Sequence, residues 1–306
     1  MTHTSRFKTL LFCAICLISA SCEKPVINED NSEITDIDNN TGLVSVNFKS
    51  FTVEQSAFND TQLSATNKSV TNVKELCKVI NVAIFDENNN KTKTINQDRT
   101  NKSFGNISTT LPKGTYKIIV IAHNGGGNAT ISSPTKITFK DNKVTDTFYY
   151  YGTLEITDDV SYNLTLKRAV AMFRLTIKDS TPSSVKYMKF YYTGGSSTFD
   201  ATSGYGCVNS KQTEIRTVEN SAYTEGSCYE IYTFPHETDK KLKIEVSALD
   251  KESSSSPIYQ KTFSDVPVKT NMITNYTGVF FGEDSGGGRS LYFDIDGEWQ
   301  SEDYEY

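Results

Sequence analysis

The residues that most often do chemistry are scarce and badly spaced in this chain. Of three histidines, His123 and His236 stand alone, with no H-E-x-x-H run and no cysteine–histidine cluster at zinc spacing. His123 closes an apolar run beside Asn124–Asn128, and His236 follows Pro235, so both are expected as exposed loop residues. Asp36 to Gly42 (DIDNNTG) looks like the start of a calcium loop. Its glycine, however, falls one place past the sixth position, and Asn47 stands where a bidentate glutamate belongs. Asp294 and Asp296 would share one face of a strand, with no further ligand beside them. Gly194-Gly195-Ser196 and Gly286-Gly287-Gly288 lack the lysine of a phosphate-binding loop, and no nucleophile elbow or Ser–His–Asp order is apparent. No catalytic residue, metal ligand or cofactor is expected, and the missing acid/base constellation argues against an enzyme.

Cys22 has a chemical context of its own. Met1–Lys8 carries Arg6 and Lys8 without an acid, and Leu10–Ile18 (LLFCAICLI) is unbroken apolar sequence. That stretch is too short to span a bilayer, which takes about 20 apolar residues, and reads as the core of a secretory leader over residues 1–21. Ser19-Ala20-Ser21-Cys22 resembles a bacterial lipobox, in which the cysteine is acylated, with palmitate among its acyl chains, and becomes the mature N-terminus. The alternative is an ordinary leader followed by an unmodified thiol. Removing the leader leaves 29 basic against 37 acidic side chains, so the mature chain is more acidic than the −6 of the whole sequence. A pI near 5.3 argues against nucleic acid as a partner.

Of the remaining cysteines, Cys77 is expected to be buried. Cys207 and Cys228 both sit near turns in the second set of strands, and a Cys207–Cys228 pair and two unpaired, buried thiols are equally compatible with an exported chain. Six cysteines in 306 residues cannot build a disulfide scaffold, so the core must be ordinary apolar packing.

The elements that would position any site are strands. Seventeen Phe and seventeen Tyr beside abundant Thr, Val and Ile favour them. Residues 22–42 are an acidic tether. Leu43–Val53 alternates as a strand pair or one strand with an irregularity. Val79–Phe85, Thr115–Ala122, Lys136–Phe139 and Thr145–Tyr151 follow, up to about residue 161. A second set covers 162–306 and opens with Leu164–Lys178, whose Ala169, Ala171, Phe173, Leu175 and Ile177 share one face. Lys186–Tyr192, Tyr229–Phe234, Leu242–Ala248, Ile258–Phe263, Asn275–Phe281 and Ser290–Ile295 continue it. One short helix is expected within Val70–Cys77. Phe148–Tyr151 and Phe190–Tyr192 would serve as sugar-stacking platforms, but with Trp299 the sole tryptophan, strand packing is the expected role. The expectation is an all-β protein of two tandem β-sandwiches, residues 43–161 and 162–306.

Three segments carry a family likeness. Leu111-Pro112-Lys113-Gly114-Thr115-Tyr116 leads into a Val/Ile strand. Leu166-Lys167-Arg168-Ala169-Val170-Ala171 opens the second set. Val266-Pro267-Val268-Lys269-Thr270-Asn271 feeds Tyr276-Thr277-Gly278-Val279-Phe280. With the lipobox-like start, these resemble the fimbrillin family of Bacteroidales-type (type V) pili. The resemblance implies two transthyretin-like sandwich domains and a lipoprotein of the outer membrane and cell surface. It also implies a structural, adhesive role in the fimbrium rather than catalysis. It further implies other fimbrial subunits as partners, joined by strand exchange, the membrane through acylated Cys22, and a receptor on a host or bacterial surface. In shaft-type members a trypsin-like protease removes the first strand, and another subunit's strand enters the emptied groove. Here 43–53 would be that strand, with Lys49 and Lys68 as the nearby basic residues. No arginine lies between Arg6 and Arg99, which favours a tip, an anchor or a lysine-cut variant. Leu291, Phe293 and Ile295 alternate after the triple glycine, as a closing strand or a donor strand. A carbohydrate-binding outer-membrane lipoprotein is the alternative reading.

Overall fold

Alternation of apolar residues along short runs does produce an all-β chain. The structure, a computed structural model, describes residues 42–55, 69–282 and 294–296, all within one unit, Thr41–Tyr306. The chain opens with β1 (Leu43–Gln55), β2 (Ser69–Asn72), the one-turn helix α1 (Val73–Leu76), β3 (Val79–Asp86), β4 (Lys91–Asp98), β5 (Ile107–Pro112) and β6 (Gly114–His123). The hairpin β7 (Thr130–Ser133) and β8 (Lys136–Thr138) precedes β9 (Thr147–Ile156) and β10 (Val160–Arg168). Then come β11 (Ala171–Ile177), β12 (Tyr187–Thr193), β13 (Thr198–Asp200), β14 (Tyr205–Gly206) and β15 (Lys211–Thr217). Last are β16 (Ser227–Thr233), β17 (Leu242–Leu249), β18 (Tyr259–Val266), β19 (Ile273–Gly278) and β20 (Asp294–Asp296).

The first large sheet runs β2-β1-β10-β9-β6-β3-β4, with β5 also on β1. β10 changes partners along its length: Val160–Leu166 lie parallel to β1, whereas Lys167 and Arg168 pair with β9. The sheet therefore folds over itself and encloses Val46, Phe48, Phe51, Ile80, Val82, Ile118 and Val120. Two four-stranded sheets, β16-β11-β19-β20 and β15-β12-β17-β18, enclose a second core around Phe173, Leu175, Phe190, Val246 and Phe263.

A third core joins them. It takes Ala83 and Phe85 from β3, Ile119 and Ile121 from β6, and Ala169, Val170, Phe199 and Phe234 from the later sequence. β3 and β6 thus have apolar neighbours on both faces, which is why VINVAIF and KIIVIA show no polar alternation. A small sheet, β14-β13-β8-β7, spans the same junction through Phe199 opposite Ile137.

Several expectations need correction. Leu164–Lys178 is two strands, not one: the chain breaks at Ala169-Val170 and passes from the first large sheet to another. Ala171, Phe173, Leu175 and Ile177 do share the second core, but Ala169 belongs to the third. The helix is confined to Val73–Leu76, capped by Asn72, whose side chain accepts the Lys74 N–H. Cys207 and Cys228 are free and exposed, and Cys77 is free and buried.

His123 is not a loop residue but is buried at the end of β6, 1% exposed. Its Nδ1 accepts the Gly125 N–H at 3.0 Å, so Nε2 carries the proton and donates to Asn81 Oδ1 at 3.2 Å. Burial holds its pKa down to about 4. The unfolded chain takes up this proton near pH 6.5 and the folded one only near 4. Stability from His123 is therefore full above pH 6.5 and falls as pH drops through the window to 4, by about 2–3 kcal/mol. Urea denaturation between pH 7 and 4 should show this slope, and His123→Gln should flatten it.

Candidate functional site

β1 holds an unusual position for the first strand of a chain. It lies inside its sheet, parallel to β10 over Val46–Val53 and antiparallel to β5 over Leu43–Phe48 and to β2 over Thr52–Gln55. Val44, Val46 and Phe48 alternate inward. A strict period of two would then turn Phe51 and Val53 outward, yet both are buried. The register against β10 shifts between Phe48 and Ser50, so Lys49 is the extra residue of a β-bulge and resets the alternation. Phe48 stacks on Phe51 at 6.4 Å and on Tyr162 at 6.1 Å between ring centres. Five side chains of β1 fill the first core, and its main chain satisfies neighbours on both sides.

Lys49 itself is exposed. The β5 ladder ends at Phe48 and the β2 ladder starts at Thr52, so the bulge falls at the seam between the two partners. Cys22, Lys68, Leu291 and Phe293 lie outside the described residues. Ile295 is described in its backbone, in β20 opposite Tyr276 of β19. Residues 294–296 thus pair with a strand of their own chain, at the edge of a sheet in which β19 also runs parallel to β11.

The exit from β19 is fixed by a residue that pattern reading passes over. The Asp179 carboxylate accepts the backbone N–H groups of Phe280 at 2.7 Å, Phe281 at 2.7 Å and Gly282 at 3.0 Å. Lys261 Nζ donates to the Val279 carbonyl at 2.9 Å and lies 4.7 Å from the Phe280 ring centre. A lone aspartate a hundred residues upstream carries no sequence signal for this. Asp179→Ala leaves three backbone donors without their acceptor. The expected cost is about 2 kcal/mol, read by urea denaturation, with faster amide exchange at Phe280 and Phe281.

Where the two large cores meet, Arg168 at the end of β10 is held on three sides. Its Nε and Nη2 donate to Asp146 Oδ1 and Oδ2 at 2.8 and 3.0 Å, and Nη1 donates to Asn271 Oδ1 at 2.8 Å. The guanidinium lies 4.7 Å over the Phe148 ring. Among the described residues, no group of three or more His, Cys, Asp or Glu side chains converges as a metal site would require.

What the described residues present around β1 is therefore main-chain ladders on both sides and a set of buried apolar side chains. No curated protein matches the sequence. Among solved structures, a candidate adhesin from Bacteroides ovatus aligns over 83% of this chain and 93% of its own at 10% identity and a TM-score of 0.49. The fimbrial anchor protein Mfa2 from Porphyromonas gingivalis aligns over 78% and 90% at 12% identity and 0.43. A fimbrial assembly protein from Parabacteroides distasonis aligns over 82% and 93% at 12% and 0.39. The family of fimbrillin-A associated anchor proteins Mfa1 and Mfa2 matches residues 29–305. With a match across nearly its whole length, the chain belongs to that fimbrial anchor family.

Proposed function

We propose that this protein is a lipid-anchored fimbrial subunit of the anchor type, tethered through Cys22 in the outer membrane and joined to other subunits by strand exchange. Membership of the fimbrial anchor family supports a role at the cell surface, in the fimbrium and in adhesion. The observation that carries the assembly reading is the inner position of β1, whose removal would open a slot flanked by β10 on one side and by β5 and β2 on the other. Such a slot supplies main-chain hydrogen bonds on both sides and pockets for alternate side chains.

Between the two candidate cuts, the burial pattern favours Lys68. A cut after Lys68 frees β1 whole, whereas a cut after Lys49 leaves Phe51 and Val53 behind in the core. Either cut would part Cys22 from the rest of the fold, so a subunit that stays tethered through Cys22 keeps β1 and its slot stays filled, which suits a terminal subunit better than a repeating one. We read the two enclosed cores as two transthyretin-like sandwiches. Because Val160–Arg168 belongs to the first sheet, we place their boundary at Ala169-Val170 rather than at 161. β20 acts as the closing strand of the second sandwich, since it pairs with β19 of its own chain.

Among the described residues, no helix is long and apolar enough to cross a membrane; in this proposal the tether is the acyl chains on Cys22. The test is a Cys22→Ala chain expressed in place of the native one. Fimbriae are expected to be shed into the medium while the soluble protein keeps its melting temperature. Fimbriae that stay cell-bound, with the variant still in the membrane fraction, would overturn the anchoring.

A further inference from the structure

A polar cleft of about 310 Å³ opens where β9 and the end of β10 meet the turn between β13 and β14 and the loop before β19. Small-ligand sites run from about 300 to 1,000 Å³, so this one suits one or two sugar rings. We propose that it binds a saccharide carrying a carboxylate.

The backbone is shaped for the cleft at two points. Gly204 has φ +80°, and a Cβ there would collide with the Tyr149 hydroxyl, so the turn can approach β9 this closely only without a side chain. Asn271 is left-handed at φ +62° without being glycine. It is held there by its N–H to Val170 O at 2.8 Å and by the Arg168 guanidinium on its side-chain oxygen. Asparagine tolerates this region better than most residues, and the two bonds fix the loop where it borders the cleft.

The chemistry of the wall narrows the ligand. Lys167 and Arg168 line the cleft, and no acid does. Arg168 is bound to Asp146, so its charge is largely balanced; Lys167 is exposed and supplies the cation for a ligand carboxylate. Phenol groups from Tyr149 and Tyr205 and the hydroxyl of Thr270 give the donors and acceptors that ring hydroxyls need. Burial and the neighbouring Tyr205 both raise the Tyr149 phenol, which keeps it protonated and a donor. A lipid chain would need an apolar wall, and this wall is mainly polar.

The proposal is independent of strand exchange, because none of these residues lies on β1 or β20. Its test is calorimetric titration of the full mature chain with digalacturonate, with galactobiose as the neutral counterpart. Digalacturonate is expected to bind saturably and more weakly as salt rises, with galactobiose at least about tenfold weaker. Lys167→Gln should lose about tenfold for digalacturonate with an unchanged melting temperature. Tyr205→Phe should weaken both ligands, which a change confined to charge would not do. Absence of saturable digalacturonate binding overturns the proposal, as does a Lys167→Gln chain that binds it unchanged. Equal affinity for the neutral disaccharide overturns the carboxylate requirement.

Discussion

A chain that begins at Ser69 loses the cooperative fold of residues 69–168, and a synthetic peptide of residues 43–55 restores it when added in trans. The size of the effect follows from what β1 buries. Val44, Val46, Phe48, Phe51 and Val53 are all within the first core, and burying each such side chain contributes about 1.5–3 kcal/mol. The sum, about 7–15 kcal/mol, matches the whole stability of an ordinary domain, about 5–15 kcal/mol. Loss of the ladders with β10, β5 and β2 adds unsatisfied backbone groups. Amide hydrogen exchange resolves the outcome by region: residues 171–278 stay protected, and 79–123 lose protection until the peptide is present. Two of the buried side chains give a sharper control. A peptide with Phe51 and Val53 both replaced by serine keeps the length and the bulge but forfeits two of the five core side chains, so it should fail to restore protection. Protection of 79–123 in the truncated chain without peptide would show that β1 is an accessory strand and that no slot forms.

How much of this was legible depended on whether a residue's role is written in its neighbours. β3 and β12 are dense in apolar or alternating residues because they are inner strands, and inner strands announce themselves. β4 (KTKTINQD) and β15 (KQTEIRT) do not, and pattern reading passed over both. Each is an outer strand of its sheet: β4 is mostly solvated, with lysines along its free edge, whereas β15 turns Gln212 and Glu214 inward, and polar residues at the inward positions hide its alternation. The irregularity in Leu43–Val53 was visible in the spacing of Phe48 and Phe51. Its parallel partner was not, since Val160–Leu166 lies more than a hundred residues away and no local signal records pairing direction. The same limit explains Leu164–Lys178: period two continues through Ala169, while the change of sheet there is a tertiary fact. His123 was misread because a histidine beside a glycine loop is usually exposed, and the partner that satisfies it, Asn81, belongs to another strand. β1 was legible as a strand and the family as a likeness, whereas the polar ties of Asp179 and Arg168 were not legible at all.

Those polar ties lead to the second large effect. Asp146→Ala is expected to cost about 3–5 kcal/mol in urea denaturation, while Asp146→Ala combined with Arg168→Met recovers most of it. The Arg168 side chain is 7% exposed and Asp146 19%, so the guanidinium in the single variant sits among Phe148 and the third core without its carboxylate. A buried cation deprived of its counter-charge costs more than the pair contributed, because its desolvation is no longer offset. Removing both charges leaves a methionine that can pack against the Phe148 ring in place of the guanidinium. If Arg168 acted through packing alone, the double variant would be no more stable than the single one. Position makes the pair matter beyond its energy. Arg168 ends the first large sheet, Ala169 and Val170 enter the third core, and Asn271 leads into β19 of another sheet. Loosening Arg168 should therefore raise amide exchange at Ala169 and Asn271 before either enclosed core opens. That order of exchange would identify the junction as the weakest joint, and strain passed between subunits of a fimbrium would be felt there first.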